Sequence, residues 1–280
     1  MENLTEYCAP GTKIKDEMVT ISENVSLRIM TFEPEKEHSN PAVVFIAGWI
    51  SHINSWRLSL KEMTKDFTVY YVETREKVSA KIKGKEGYGV ADIGRDIVTI
   101  INRLNLEERG YILFGSSLGG TAILHSCRSF DNPPLCLVLV GPNAVFRVPK
   151  VWKGVIRILP PRLYNLLKPV VKWYLKTFRL DIKSDYAQYE KYCNTLDAAD
   201  PVKLRKGVMA VWNYQVWDLL GDIKIPSLFI GASKDKLHEP GNLEEMVSLM
   251  PKATYLDLET NARTHSEDMV HAMRKYIADL

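Results

Sequence analysis

Ser117 lies in the run Gly115-Ser116-Ser117-Leu118-Gly119, which follows the apolar stretch Tyr111–Phe114 and opens a stretch of helical character. A serine hydroxyl is a weak nucleophile until a neighbouring base takes its proton, and it must also project from the backbone toward a substrate. A sharp strand-to-helix turn achieves that projection by forcing the serine into a strained backbone region that costs roughly 1–3 kcal/mol. Gly115 and Gly119 leave the space that side chains would otherwise fill. The N-terminus of the following helix favours developing negative charge. A phosphate-binding loop or a simple packing device would use a similar glycine-rich turn. However, the Gly-x-Gly-x-x-Gly spacing of dinucleotide sites and the lysine of a P-loop are both missing. Ser116 is out of register and reads as a small spacer.

In this run the chain resembles the α/β-hydrolase family, in which nucleophile, acid and histidine follow successive strands in that order. The resemblance covers nearly all of the chain outside one long insertion. It implies that Asp235, in Gly231-Ala232-Ser233-Lys234-Asp235, is the acid, accepting a hydrogen bond from the imidazole and stabilising the imidazolium. Without the resemblance, Asp235 between Lys234 and Lys236 would read as a solvated loop residue. The family's other acid position reads Gly141-Pro142-Asn143, and an asparagine is no substitute for a carboxylate. His265, in Thr264-His265-Ser266, occupies the family's histidine position, although Thr264 replaces the frequent glycine. Two backbone amides would hold the oxyanion. One belongs to Leu118, after the nucleophile, and the other to Trp49 in Ala47-Gly48-Trp49, where Ala47 stands in place of the familiar histidine. His52, just beyond that loop, is a candidate substrate contact. His38 and His271 read as surface residues, His125 as helical and His238 as a loop residue.

Positioning such a serine requires buried strands that end at one edge of a sheet. Short apolar runs alternate with longer amphipathic segments, the pattern of an α/β fold with a mostly parallel central sheet and helices on both faces. Met18–Ser22 and Val25–Phe32 predict an antiparallel pair at the sheet edge, turning at Glu23-Asn24. Ala42–Ala47, Phe67–Val72, Tyr111–Phe114, Leu135–Val140, Ser227–Ile230 and Thr254–Leu258 predict buried strands. Val90–Leu104 predicts a helix with Val90, Ile93, Ile97, Ile100, Ile101 and Leu104 on one face and Asp92, Arg95, Asp96 and Arg103 pointing elsewhere. Further helices are predicted over Ser117–Phe130, Gly241–Met250 and Ser266–Ala278.

Between Val140 and Ser227 the alternation stops, which predicts an inserted helical cap over residues 143–218 between core parts at 1–142 and 219–280. Val151, Trp152, Val155, Ile156 and Leu159 share one helical face, and Pro160-Pro161 ends that helix. Leu163, Leu166, Leu167, Val170, Val171, Tyr174, Leu175 and Phe178 continue on a second helix, which Pro169 should kink. Trp152 and Trp173, with Tyr174 and Phe178, are candidates for a hydrophobic roof over a substrate chain. Core packing would account for the same stripe.

From Asn132 to Leu180 there are nine basic residues and no acidic one, so in a chain of net charge +3 the remainder carries −6. Lys168, Lys172 and Lys176 recur at intervals of four, where like charges repel by about 0.2–0.5 kcal/mol per pair. An anionic membrane surface or the phosphates of an acyl-CoA or acyl-carrier substrate would relieve that repulsion, as would plain solvation of the face. Nucleic acid is disfavoured, because no recognition module is apparent.

With 280 residues, 46% apolar and 25% charged, the composition excludes collagen-like, disordered and disulfide-scaffold classes. Cys8, Cys127, Cys136 and Cys193 have no metal-ligand spacing, which suits a reducing compartment. The start Met1-Glu2-Asn3-Leu4 lacks a secretory pattern and no apolar run approaches a membrane span, so a cytoplasmic protein is expected. The expected activity is hydrolysis of a carboxylic ester with a hydrophobic acyl or alcohol group through an acyl-enzyme, without a cofactor. A thioesterase or acyltransferase, or a catalytically silent ligand-binding protein on the same scaffold, are the alternatives.

Overall fold

The computed structural model describes residues 3–106, 110–146, 154, 156–158, 160–179, 186–235 and 240–280. Nine strands form one sheet: β1 (Lys13–Ser22), β2 (Val25–Glu33), β3 (Ala42–Ile46), β4 (Val69–Val72), β5 (Lys81–Ile82), β6 (Tyr111–Ser116), β7 (Cys136–Val140), β8 (Ser227–Gly231) and β9 (Ala253–Asp257). Their order is β1-β2-β4-β3-β6-β7-β8-β9, with β5 on β2. The predicted edge hairpin is present, with Lys13 opposite Glu33 and an irregularity between Thr20 and Ser22. From β4 to β9 every neighbouring pair is parallel. The chain steps from β3 outward to β4 and later returns to β6 on the other side of β3. Loops leaving the C-terminal ends of β3 and β6 therefore diverge and open a crevice.

Alternation along each strand divides the core between two faces. Val44 and Ile46 of β3 and Leu113 of β6 join Ile93, Ile97, Ile100 and Ile101 of α2 (Val90–Leu104) and Ala122 and Ile123 of α3 (Leu118–Ser126). Val43 and Phe45, with Ile112 and Phe114, face Leu60 and Met63 of α1 (Arg57–Met63) and Met269, Val270 and Met273 of a C-terminal helix over Glu267–Ala278. The sequence reading omitted α1 and β5, which are too short to display a period. It also directed Asp96 outward. Asp96 is instead buried, and Arg75 grips it through Nε at 2.5 Å and Nη2 at 2.8 Å, so an ion pair fills a place on the apolar face of α2. The predicted helix after Ser117 ends at Ser126, and a 3-10 turn covers Cys127–Ser129.

Between β7 and β8 the described residues are helical. The first predicted helix falls largely on residues outside those described, with Gly154 and Ile156–Ile158 helical. Pro160 is extended, as the predicted break requires, and α4 (Tyr164–Tyr174) runs through Pro169 before widening into a π turn at Leu175–Arg179. Three more follow: α5 (Tyr186–Ala198), α6 (Pro201–Val211) and α7 (Trp217–Leu220). After β8 come α8 (Pro240–Leu249), α9 (Asn261–Thr264) and the C-terminal helix, α10. Asp200 caps α6 by accepting from Val202 and Lys203, and Pro201 occupies its first turn. Among the described residues no helix is long and apolar enough to cross a membrane.

Candidate active site

Ser117 adopts φ 49° and ψ −118°, outside the helical and extended regions, between the last residue of β6 and the first of α3. The strain persists because neighbouring backbone leaves no alternative. Ser117 N–H donates to the Val140 carbonyl of β7 at 3.0 Å, and its own carbonyl accepts from Thr121 N–H at 3.0 Å. A Cβ on Gly119 would lie 2.3 Å from the Ile46 carbonyl, and one on Gly115 would lie 2.7 Å from Gly120 Cα. Both glycines are therefore required by close backbone approach.

Asn143 donates from Nδ2 to Ser117 Oγ at 2.8 Å. Its loop is tied to the same turn, because Thr121 Oγ1 donates to the Asn143 carbonyl at 2.8 Å and accepts from Asn143 N–H at 3.0 Å. With one lone pair of Oγ engaged by Asn143, the serine O–H is left to donate elsewhere. The sequence reading weighed Asn143 only as a missing carboxylate, so its contact with Ser117 is new.

Ser117, Asp235 and His265 line one cavity of about 90 Å³, together with Gly48, Trp49, Lys191, Tyr192, Thr195 and Asn261. His265 follows α9 directly, and its ring stacks on Trp56 with centroids 4.1 Å apart and planes 26° apart. Nδ1 lies 3.0 Å from the Asn261 carbonyl and 3.0 Å from Thr264 Oγ1, whose hydroxyl donates to that same carbonyl. A carbonyl only accepts, so the contact assigns a proton to Nδ1, and in the neutral ring Nε2 is then the acceptor. Asp235 is buried and accepts from Gln188 Nε2 at 3.2 Å and from Asn261 Nδ2 at 3.1 Å. Asn261 thus bonds to the carboxylate through its side chain and to the imidazole through its carbonyl. Burial first, and the Asp235 charge second, push the Tyr192 phenol well above its usual pKa.

Leu118 is the first residue of α3, a position whose N–H has no acceptor inside the helix. Trp49 stands between two cavities. It lines the one holding Ser117 and a second, almost wholly apolar one of about 330 Å³ beside Ile156, Tyr164, Leu167, Val171, Leu196 and Leu204. Trp49 Nε1 is buried and has no hydrogen-bond partner among the described residues. His52 does not line either cavity. Its Nδ1 accepts from Asn54 N–H at 3.3 Å, capping a short 3-10 turn. Trp173 is 58% exposed and packs edge-on against Phe178, away from the apolar cavity. Trp152 and His238 lie outside the described residues. His125 meets the Tyr214 hydroxyl at 2.8 Å, and burial lowers its pKa.

The basic stripe on α4 has an anion within the chain. Asp197 of α5 receives Lys172 Nζ at 2.7 Å, and Lys168 Nζ lies 3.8 Å from its carboxylate and donates to its carbonyl at 3.2 Å. The hydrogen bond from Lys172 lowers the Asp197 pKa. All four cysteines are free thiols, and burial pushes Cys127 and Cys136 up to about 12.

The family described as the alpha/beta hydrolase fold matches residues 41–263. A hydrolase from Pseudomonas aeruginosa superposes with a TM-score of 0.76 at 16% identity, covering 95% of this chain and 97% of its own. An enol-lactonase from Burkholderia xenovorans gives 0.75 at 16%, covering 94% and 98%. A thermophilic esterase from Thermogutta terrifontis gives 0.71 at 17%, covering 95% and 98%. No curated protein matches the chain in sequence.

Proposed function

The chain belongs to the α/β-hydrolase family, and from that premise we propose that it is a serine hydrolase cleaving a carboxylic ester with a hydrophobic acyl or alcohol group. The observation that carries this reading is the strained Ser117 at the head of α3, in a cavity that His265 and Asp235 also line. His265 Nε2 removes the serine proton as Oγ attacks the ester carbonyl. Nδ1 keeps its proton, which it donates to the Asn261 carbonyl, and the buried Asp235 charge in the same cavity lowers the energy of the imidazolium. The oxyanion rests on the amides of Leu118 and Trp49. The alcohol leaves with the proton held by His265, and water then releases the acid by the same route in reverse. No cofactor takes part.

The apolar cavity beyond Trp49 supports a hydrophobic acyl group, with helices of the 143–218 cap as its walls. The unpartnered Nε1 of Trp49 suits a donor reserved for a bound ligand. That two structural relatives are an enol-lactonase and an esterase supports acyl transfer to water. With Asp197 meeting Lys168 and Lys172, contact with an anionic membrane or an acyl-CoA falls to the remaining basic residues of the cap. A fluorophosphonate probe should label the wild-type protein at Ser117 and leave Ser117→Ala unlabelled. Equal labelling of the two proteins would reject the nucleophile, and a preference for acyl-thioesters over p-nitrophenyl esters would move the assignment to a thioesterase.

A further inference from the structure

The loop after β3 carries the Gly48–Trp49 peptide, and its carbonyl is held by a buried ammonium. Lys77 Nζ donates to the Gly48 carbonyl at 2.6 Å, and Ser51 N–H donates to the same oxygen at 3.1 Å. In a planar trans peptide the C=O and the N–H point in opposite directions. Fixing the Gly48 oxygen therefore fixes the direction of the Trp49 N–H. Gly48 lies against the nucleophile: a Cβ placed on it would be 3.2 Å from Ser117 Cβ and 3.3 Å from the Ser116 carbonyl.

Lys77 is itself held. Glu76 Oε1 accepts from Lys77 Nζ at 3.0 Å, from Thr74 Oγ1 at 2.7 Å and from Ile50 N–H at 3.3 Å. Ile50 is a β-branched residue at φ 48°, a conformation it adopts only under constraint. Glu76 and Lys77 are 3% and 7% exposed. Arg75, in the same segment, pins it to α2 through Asp96. From the cap, Lys203 of α6 donates to the Lys77 and Ala80 carbonyls, each at 2.7 Å. A buried ion pair adds little net stability over an apolar pair of the same shape.

We propose that Lys77 is a positioning residue for the oxyanion site: its ammonium orients the Gly48–Trp49 peptide and polarises it, making the Trp49 N–H a stronger donor to the tetrahedral intermediate. This rests on the reading of Ser117 as the nucleophile. A charge-assisted bond at one end of an amide strengthens the bond made at the other, and the effect is largest in a buried site. The stabilisation acts on the negative oxygen and much less on the ester carbonyl, so it appears in kcat and not in KM.

Lys77→Met keeps the length of the side chain and removes the charge. With a p-nitrophenyl ester, kcat should fall by about 10- to 100-fold, short of the loss seen when an oxyanion donor is deleted outright, with KM within threefold of wild type. An alkyl trifluoromethyl ketone, which forms an oxyanion on the serine, should lose affinity by the same factor, while binding of the corresponding methyl ketone, whose carbonyl stays neutral, should stay unchanged. Lys77→Gln, which retains a neutral donor, should fall between the two, and it carries the test alone if Lys77→Met does not fold. A folded variant with wild-type kcat and ketone affinity, or one whose loss lies wholly in KM, would overturn the inference while leaving Ser117 in place. A wild-type protein that the fluorophosphonate fails to label at Ser117 would instead remove the nucleophile reading on which the inference rests.

Discussion

Asn143 donates a hydrogen bond to Ser117 Oγ, the oxygen that loses a proton in the proposed mechanism, and at that position charge decides the outcome. A neutral amide supports the developing alkoxide and leaves the serine O–H free for His265. A carboxylate in its place would accept that O–H and repel the oxyanion. Asn143→Asp should therefore lower kcat by more than about 200-fold, whereas Asn143→Ala, which only removes the donor, should cost less, in keeping with about 1.5–3 kcal/mol, roughly 10- to 150-fold, for a lost bond to a charged group. Steady-state kinetics of both variants, each retaining fluorophosphonate labelling, check the order. The strained turn at Ser117 was legible in the sequence because a strand-to-helix turn demands glycines at fixed offsets, whereas His265 was read only from its place in the α/β-hydrolase resemblance. Asn143 and Asn261 were not, since they act through bonds between loops that no periodicity encodes.

The helices were legible to the degree that they carry a period. Val90–Leu104 was read to the residue, because Gly89 and Asp92 close its start and Asn105 at φ 51° ends it. α1 was missed, and what secures so short a helix is an ion cluster. Arg274 of α10 reaches Glu62 Oε1 at 2.6 Å and both carboxylate oxygens of Asp66, at 2.8 and 2.7 Å. Burial would raise the Glu62 pKa, but the bonds from Lys65 and Arg274 prevail and hold it below its usual 4.5. A carboxylate depressed on folding contributes stability above its unfolded pKa and loses it as the pH falls through the folded value. Arg274→Met should therefore destabilise the protein by about 2 kcal/mol near neutrality, between the worth of an exposed pair and a fully buried one. The gap in Tm from wild type should shrink as the pH falls below 4.5, as Glu62 protonates in both proteins. Thermal melts across that range decide it, and a gap independent of pH would assign the loss to packing alone.

At the scale of the whole molecule, the parallel sheet, its edge hairpin and α4 followed from apolar runs, but the helices between α4 and β8 did not. α5 and α6 lack a clean apolar stripe because they serve two surfaces. α5 presents Lys191, Tyr192 and Thr195 to the cavity with Ser117, and Leu196 to the apolar cavity. Trp173, which looked like part of the roof, is turned outward, and Tyr164, Leu167 and Val171 form the wall in its place. The position of Trp49 between the two cavities predicts how rate should depend on substrate length. An acyl chain passing Trp49 transfers its methylenes from water to an apolar wall, worth about 0.8 kcal/mol each. kcat/KM for p-nitrophenyl esters should then rise by roughly fourfold per methylene beyond acetate until the cavity is full. Leu167→Trp, which fills that cavity and not the one containing Ser117, should leave the acetate rate unchanged and flatten the rise at shorter chains. A parallel loss at every length would mean that the substitution disturbs the nucleophile, and an unaltered length profile would mean that the acyl group lies elsewhere, on the open side toward Ser51 and Thr195.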